Sequence, residues 1–469
     1  MQTTTRATTG PDHDVRRHDR VVLGLLVSAQ FLVMLDASIV NVALPSIQSD
    51  LGFSAASVTW VVNAYVLAFA GLLLLSGRAA DLFGRRRVFV AGAALFTLGT
   101  LMCAAAVDGT LLVVGRVVQG VGAAGLSPAA MALLLAAFPP ARRARAMGAW
   151  GAASTLGGAT GVMAGGLLAG TVGWRAVFLA TVPVSTAAVL VARRVLAPDE
   201  KGVRRTFDGA GAATATAAVI TLVHGAVDAV DHAWSSPRVL GLLACSLVLM
   251  GAFVVVERRA ADPLVPLHLF RSPTLRVGAI VALLGGASRA STFVLVALYF
   301  QQVLALSPQR AGLAMVPTSL AGFAVSLTLL PRLLRAIGPA RSLVLGLVVL
   351  AAGHLWLAHA PAGSAYVVGV LPGLLLVATG VALSFTPTTM VLAGSVPATH
   401  TGLASGLSGA AMQVGGALGT AVFVVVGLAA SDRPSTVLDA SGFSAAFTAA
   451  AVVALSTAAL GAALVRRAA

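Results

Sequence analysis

Apolar stretches of membrane length recur from end to end of this 469-residue chain, separated by short polar segments. A helix needs about 20 apolar residues to cross a hydrocarbon layer about 30 Å thick. On that measure the pattern predicts helices over 21–45, 57–76, 88–107, 110–134, 147–170, 175–196, 209–230, 238–256, 276–300, 311–330, 341–359, 366–391, 401–428 and 442–465. These fourteen spans predict an all-α membrane protein, and an even number returns the chain to the side from which it started.

Composition agrees: 58% hydrophobic residues, 10% charged and a mean hydropathy of +0.94 exclude a soluble chain of this length. The net charge of +15 raises nucleic acid as a partner. Most of the basic residues, however, fall in short clusters in the N-terminal tail, in alternate loops and at the C-terminus, with Arg175, Arg238, Arg310 and Arg433 on the opposite side. That is the positive-inside pattern, so both termini are expected in the cytoplasm, the chain in the cell membrane against lipid, and no nucleic acid as partner. Residues 1–20 are polar, without the apolar core of a removable leader, and form an N-terminal tail. Cys103 and Cys245 both lie within apolar runs and suggest neither a disulfide nor a metal site. The single lysine, Lys201, follows Glu200 in a loop, so the chain has no phosphate-binding Gly-x-x-x-x-Gly-Lys-(Ser/Thr) loop and cannot drive itself with ATP that way. Neither a metal-ligand cluster nor a nucleophile–histidine set stands out. No cofactor, no metal and no enzymatic activity are expected, and any energy must come from an ion gradient or a partner.

An internal repeat divides the chain. Gly157-Gly158-Ala159-Thr160-Gly161 recurs 258 residues on as Gly415-Gly416-Ala417-Leu418-Gly419, and Ser127-Pro128 with Met131 returns as Thr386-Pro387 with Met390. Two six-span halves joined directly would be offset by about 200 residues, so about 60 are inserted between them. The division predicted is a half at 21–200, two additional spans and linkers at 201–262, and a second half at 263–469. The matching spans are an even number apart, so the halves share one orientation about an axis along the membrane normal, with a substrate path between them. The extra pair is expected at the periphery.

Candidate chemistry sits where charge enters the apolar runs. Asp36 lies deep in the first span, where an ionised carboxylate costs at least about 2.5 kcal/mol unless it is protonated, paired or placed against a watery cavity. Arg116, in the fourth span, differs in depth from Asp36 by about 4 Å at helical rise and is a partner within reach. The competing reading is a structural Asp that bonds a neighbouring helix. Arg289, in the ninth span, is open between a contact to substrate or Asp36 and a structural arginine bonded to carbonyls. Gln30, Asn41, Asn63, Tyr65, Gln119 and Gln413 either line a cavity or bridge helices. His224 and His354 are expected to pack. Between spans two and three, Gly77, Asp81, Gly84, Arg85 and Arg86 combine glycines that permit close approach, an acid able to cap a helix, and a basic cluster.

That loop resembles the signature loop of the major facilitator superfamily, with Leu82 standing where a basic residue is usual. Around Asp36, Leu35-Asp36-Ala37-Ser38-Ile39-Val40-Asn41-Val42-Ala43-Leu44-Pro45 resembles the motif of that superfamily's fourteen-span drug:proton antiporters. The stretch Arg116 to Ala124 is similar to the superfamily's arginine-bearing motif, and Trp60, Tyr65, Asp208, the segment 263–270 and Tyr299-Phe300-Gln301-Gln302 also resemble that branch. In span five, Gly157, Gly161, Gly165 and Gly166 follow the antiporter pattern, but Val162 replaces its proline, which implies a straighter helix. The resemblance implies a proton-coupled exporter of small amphiphilic molecules such as antibiotics, working by alternating access. Asp36 would carry the proton, Arg116 would modulate it, the loop at Asp81 would gate the cytoplasmic side, and the unit would be a monomer. The missing proline keeps a proton-coupled importer or a uniporter open, and a non-transporting membrane sensor or scaffold is the alternative of another class.

Overall fold

A computed structural model describes residues 11–54, 57–199, 208–232, 234–360, 366–431 and 438–468. Lys201 and Arg433 lie outside the described residues. Among the described residues fourteen helices are long and apolar enough to cross a membrane: α1 (Arg17–Leu51), α2 (Ser57–Phe83), α3 (Arg85–Ala104), α4 (Gly109–Ala137), α5 (Pro140–Thr171), α6 (Trp174–Val195), α7 (Gly209–Ala229), α8 (Pro237–Arg259), α9 (Pro273–Gln302), α10 (Arg310–Ala336), α11 (Gly338–Ala358), α12 (Tyr366–Gly394), α13 (Ala398–Ala430) and α14 (Ala440–Val465).

The helices start and stop at capping residues and breakers rather than where hydropathy fades. α5 begins with Pro140 in its first turn and α9 with Pro273 behind Ser272, whose side chain accepts from the Leu275 amide. Both therefore start several residues ahead of the expected spans. α2 runs past its apolar segment to Phe83 and stops only at Gly84, whose φ of 105° suits glycine. Gly77 and Asp81, expected in a loop, are helical for this reason.

Within the first half α1 packs on α5 and α3 on α4; within the second, α9 packs on α13 and α11 on α12. Small residues make the equivalence concrete. A Cβ on Gly157 would stand 2.6 Å from the Phe31 carbonyl oxygen of α1, and a Cβ on Gly415 would strike the Leu283 carbonyl of α9. Likewise a Cβ on Gly99 of α3 would meet the Gln119 amide nitrogen at 2.5 Å and one on Gly353 of α11 the Val377 nitrogen at 2.7 Å. Phe31 thus corresponds to Leu283, and Gly99 to Gly353. The halves meet through α2 with α13 and α5 with α10, whereas α1 and α10's neighbour α9 are not among the packed pairs. We call the end of the bundle where α1 begins and α14 finishes the near end.

The added pair is only half peripheral. α8 exposes much of its surface, including Leu247 and Val248, but α7 packs on both α2 and α13 and so closes one seam between the halves. Ile220 and Thr216 of α7 fill the notch left by Gly71 of α2, which is why the expectation that both helices lie outside the core fails.

Glycine at the α1–α5 crossing is therefore a steric requirement. Gly161→Leu, whose Cβ would sit 2.6 Å from the Leu35 carbonyl oxygen, is expected to cost ~1–3 kcal/mol and lower the thermal midpoint in detergent. Gly170→Leu, with nothing within 4 Å, should leave it near wild type.

Candidate functional site

Four helices of the first half converge on one buried charge centre. Asp36 on α1 and Arg116 on α4 are 0% and 1% exposed, and Arg116 Nη1 donates to Asp36 Oδ2 at 2.7 Å. Asp36 Oδ1 accepts from Gln119 Nε2 at 2.7 Å, while Gln119 Oε1 accepts from Arg116 Nη1 at 2.6 Å. Helical spacing lets Gln119, three residues after Arg116, reach both partners. Arg116 Nε donates to the Val61 carbonyl at 2.9 Å, the Tyr65 ring lies 4.2 Å beneath the guanidinium, and Gln119 Nε2 also reaches Thr100 Oγ1 of α3 at 2.9 Å.

The pairing follows from the medium. A buried carboxylate and guanidinium are each costly alone and tolerable when paired and fully hydrogen-bonded. The centre is also poised: protonating Asp36 would discharge one partner and leave the Arg116 charge with a carbonyl, an amide and an aromatic face.

A second constellation ties the halves together at the near end. Asp81 accepts from the Gly402 and Leu403 amides at 2.9 and 2.8 Å, so a carboxylate of α2 caps α13 of the other half, where free N–H groups and the helix dipole favour an anion. Arg85 Nη2 reaches Asp81 at 3.3 Å and the Ala398 carbonyl at 2.5 Å, a second bond across the seam. Gly77 allows this approach, since a Cβ there would collide with the Gly402 carbonyl. On the other seam a Cβ on Gly148 of α5 would meet the Ser326 carbonyl of α10 at 2.6 Å. At the near end the halves are thus in contact along both seams. Arg78, three residues before Asp81, donates to the Pro263 carbonyl at 3.1 Å and contacts His400 Nδ1 at 3.3 Å, so it ties the linker after α8 to the start of α13. Glu257 holds the same linker by accepting from the Val265 amide at 3.1 Å, and Asp208 caps α7 at Gly211.

The other singled-out residues scatter. Gln30 bridges within the first half, donating to Ser154 of α5 and accepting from Ser127 of α4. Asn41 is exposed on α1 and donates to the Ala37 carbonyl, and Gln413 is half-buried on α13. Asn63 faces α7 in a crevice shared with Val223 and His224, whose ring lies 5.5 Å from Trp60. His354 is fully buried against Thr292 Oγ1 at 2.6 Å. Arg289, in the other half from Asp36, is 4% exposed with Ser384 Oγ at 3.4 Å. Gly157, Gly161 and Gly165 abut the α1 backbone and Gly166 the Val42 side chain, in a helix that stays continuous through Val162. Arg86 turns its amide to Asp199, as does Arg87, so Asp199 caps α3 from beyond α6. Thr100, the Val61 carbonyl and Asp199 escaped sequence reasoning: a threonine, a backbone atom and a loop acid carry no signal until the fold brings them in.

The profile described as Major Facilitator Superfamily matches residues 26–420. The chain is 40% identical over 443 residues to a cephamycin export protein of Amycolatopsis lactamdurans, covering 93% of this chain and 91% of that one. It is 36% identical to a puromycin resistance protein of Streptomyces alboniger, covering 87% and 82%. Among solved structures, the human organic anion transporter MFSD10 superposes with a TM-score of 0.69 at 16% identity over 94% of this chain and 99% of that one, a likeness of fold alone.

The charge centre predicts a non-additive pair of substitutions. Arg116→Leu strands the Asp36 carboxylate and is expected to cost about 3–5 kcal/mol, read as a lowered midpoint in detergent. Adding Asp36→Leu should recover most of it; a double variant as unstable as the sum of both singles would show that the ion pair is not what holds these helices.

Proposed function

Because this chain belongs to the major facilitator superfamily, matched over residues 26–420, we propose that it is a proton-coupled exporter of small amphiphilic organic molecules, antibiotics among them. The relatives named for cephamycin export and puromycin resistance support the cargo class. The observation that carries the coupling is the buried Asp36–Arg116 pair at 2.7 Å: a carboxylate kept out of water beside a fixed cation is a group whose protonation changes the packing of four helices.

The near end, rich in arginine at Arg85, Arg86, Arg87, Arg142 and Arg143, is the cytoplasmic side in this reading, with both termini there. The conformation described is then closed to the cytoplasm by Asp81 on α13. A proton entering from outside discharges Asp36 and frees Arg116 to rearrange. The halves rock about the substrate path, the Asp81 cap releases, and substrate binding from the cytoplasm returns the carboxylate to its charged form as the proton leaves inward. Each unit of pH difference supplies about 1.4 kcal/mol per proton, enough for about tenfold accumulation at one-for-one exchange. The division at 21–200, 201–262 and 263–469 fits this scheme with one amendment, that α7 belongs to the seam. The working unit is a single chain with no cofactor.

Vesicles with an imposed pH gradient test this reading. Asp36→Asn keeps the shape and hydrogen bonding of the side chain but cannot cycle a proton. It is expected to abolish gradient-driven export from a panel of labelled antibiotics while sparing passive exchange. Concentration of any panel member against its gradient by Asp36→Asn, driven by pH, would overturn it.

A further inference from the structure

The two halves are unequal in buried charge, and the inequality points to the cargo. In the first half Asp36 neutralises Arg116. The glycine contacts that relate Phe31 to Leu283 and Gly99 to Gly353 carry Asp36 onto Ser288 and Thr100 onto His354. The position of the acid is thus taken by a serine, whose hydroxyl donates to the Ala450 carbonyl of α14. One residue on stands Arg289, where the first half has Ala37. Its guanidinium folds back over Gly285, where a Cβ would lie 2.7 Å from Nη1, so the glycine makes its room.

Among the described residues Arg289 has no counter-ion. It is 4% exposed; its hydrogen bond among the described residues is the long one to Ser384 Oγ at 3.4 Å, and its Nη2 has no partner. Neither an acid nor a carbonyl among the described residues takes the charge. A structural arginine in a membrane helix is held by carbonyls or an acid, and this one is not. After it on α9, Ala290, Phe293 and Val294 are exposed, whereas Ser291 and Thr292 are buried. α9 packs on α12, α13 and α14, and α1 is not among the helices packed on it.

We propose that Arg289 is an anion-binding site of the substrate path and that the protein carries organic monoanions bearing a carboxylate or sulfonate. This rests on the exporter reading and narrows its cargo. Two oxygens of one carboxylate match two N–H groups of the guanidinium fork and supply the charge that the second half lacks. A neutral or cationic cargo leaves Arg289 uncompensated. The two charge centres divide the work, Asp36 taking the proton and Arg289 the anion.

Equilibrium binding to the purified full chain in detergent tests this without any gradient. The probes are benzoate, indole-3-acetate and naphthalene-2-sulfonate, each beside its neutral amide or sulfonamide, with the thermal midpoint read up to about 10 mM, a range that captures millimolar affinity. The expected result is a dose-dependent rise with at least one anion and none with its neutral counterpart. Arg289→Gln should abolish the rise and Arg289→Lys should keep part of it. The midpoint of Arg289→Gln without probe, expected at or above wild type because an uncompensated charge is gone, shows that the variant is folded. Equal shifts from neutral counterparts, shifts that survive in Arg289→Gln, no shift from any of the three anions, or the same Arg289-dependent shift from sodium chloride alone would each overturn it. Failure here leaves proton-coupled export standing, and failure of Asp36→Asn to block export leaves this site standing.

Discussion

A charge buried in a bilayer must be answered by another charge, and the first half of this protein is arranged around that demand. Asp36 and Arg116 are held at 2.7 Å by residues from four helices: Gln119 serves both, Thr100 fixes Gln119, and Val61 and Tyr65 take what is left of the guanidinium. Arg116 Nε and Nη1 and the Gln119 amide all have acceptors, so the arrangement is cheap only while its members stay in place. A single proton on Asp36 would alter that balance where four helices of the first half meet.

The same economy of space operates between the halves. Glycines set how closely helices approach: Gly157, Gly161 and Gly165 bring α5 onto α1, while Gly77 brings α2 onto α13. Close approach at Gly77 then puts Asp81 within hydrogen-bond distance of two amides at the start of α13. A helix cap is a suitable latch, since it is strong while made and leaves a start of helix that water can serve once it opens. α7 adds a wedge on this seam, so rocking of the halves must carry it along or slide past it.

Much of this was legible in the chain itself. Hydropathy found every span because a helix in lipid must be apolar over a fixed length, and the depth argument placed Asp36 within reach of Arg116, where the structure also has them. What the chain concealed has physical reasons. Helix ends follow caps and not hydropathy, so Gly77 and Asp81 looked like loop until α2 was seen to end at Gly84. Gln119 was open between lining a cavity and bridging helices, and the structure has it bridging, to Asp36 of α1 and Thr100 of α3. α7 looked peripheral because insertion between repeats says nothing about which seam a helix fills. Asp199 joins α3 from more than a hundred residues away, and periodicity is blind to such contacts. Asn63 and Gln30 show the limit of polarity as a guide, since one turns to α7 and the other to Ser154.

The central claim is that Asp36 gains and loses a proton inside the folded protein, and infrared difference spectroscopy in lipid vesicles reads it directly. Stepping the pH across the range in which carboxyl groups titrate, between about pH 4 and pH 9, should produce a protonated-carboxyl band that is present in the wild type and missing from Asp36→Asn, with the helical amide bands of the two proteins alike. A wild-type spectrum with no band that depends on Asp36 anywhere in that range would contradict the account, leaving the Asp36–Arg116 pair as a fixed strut.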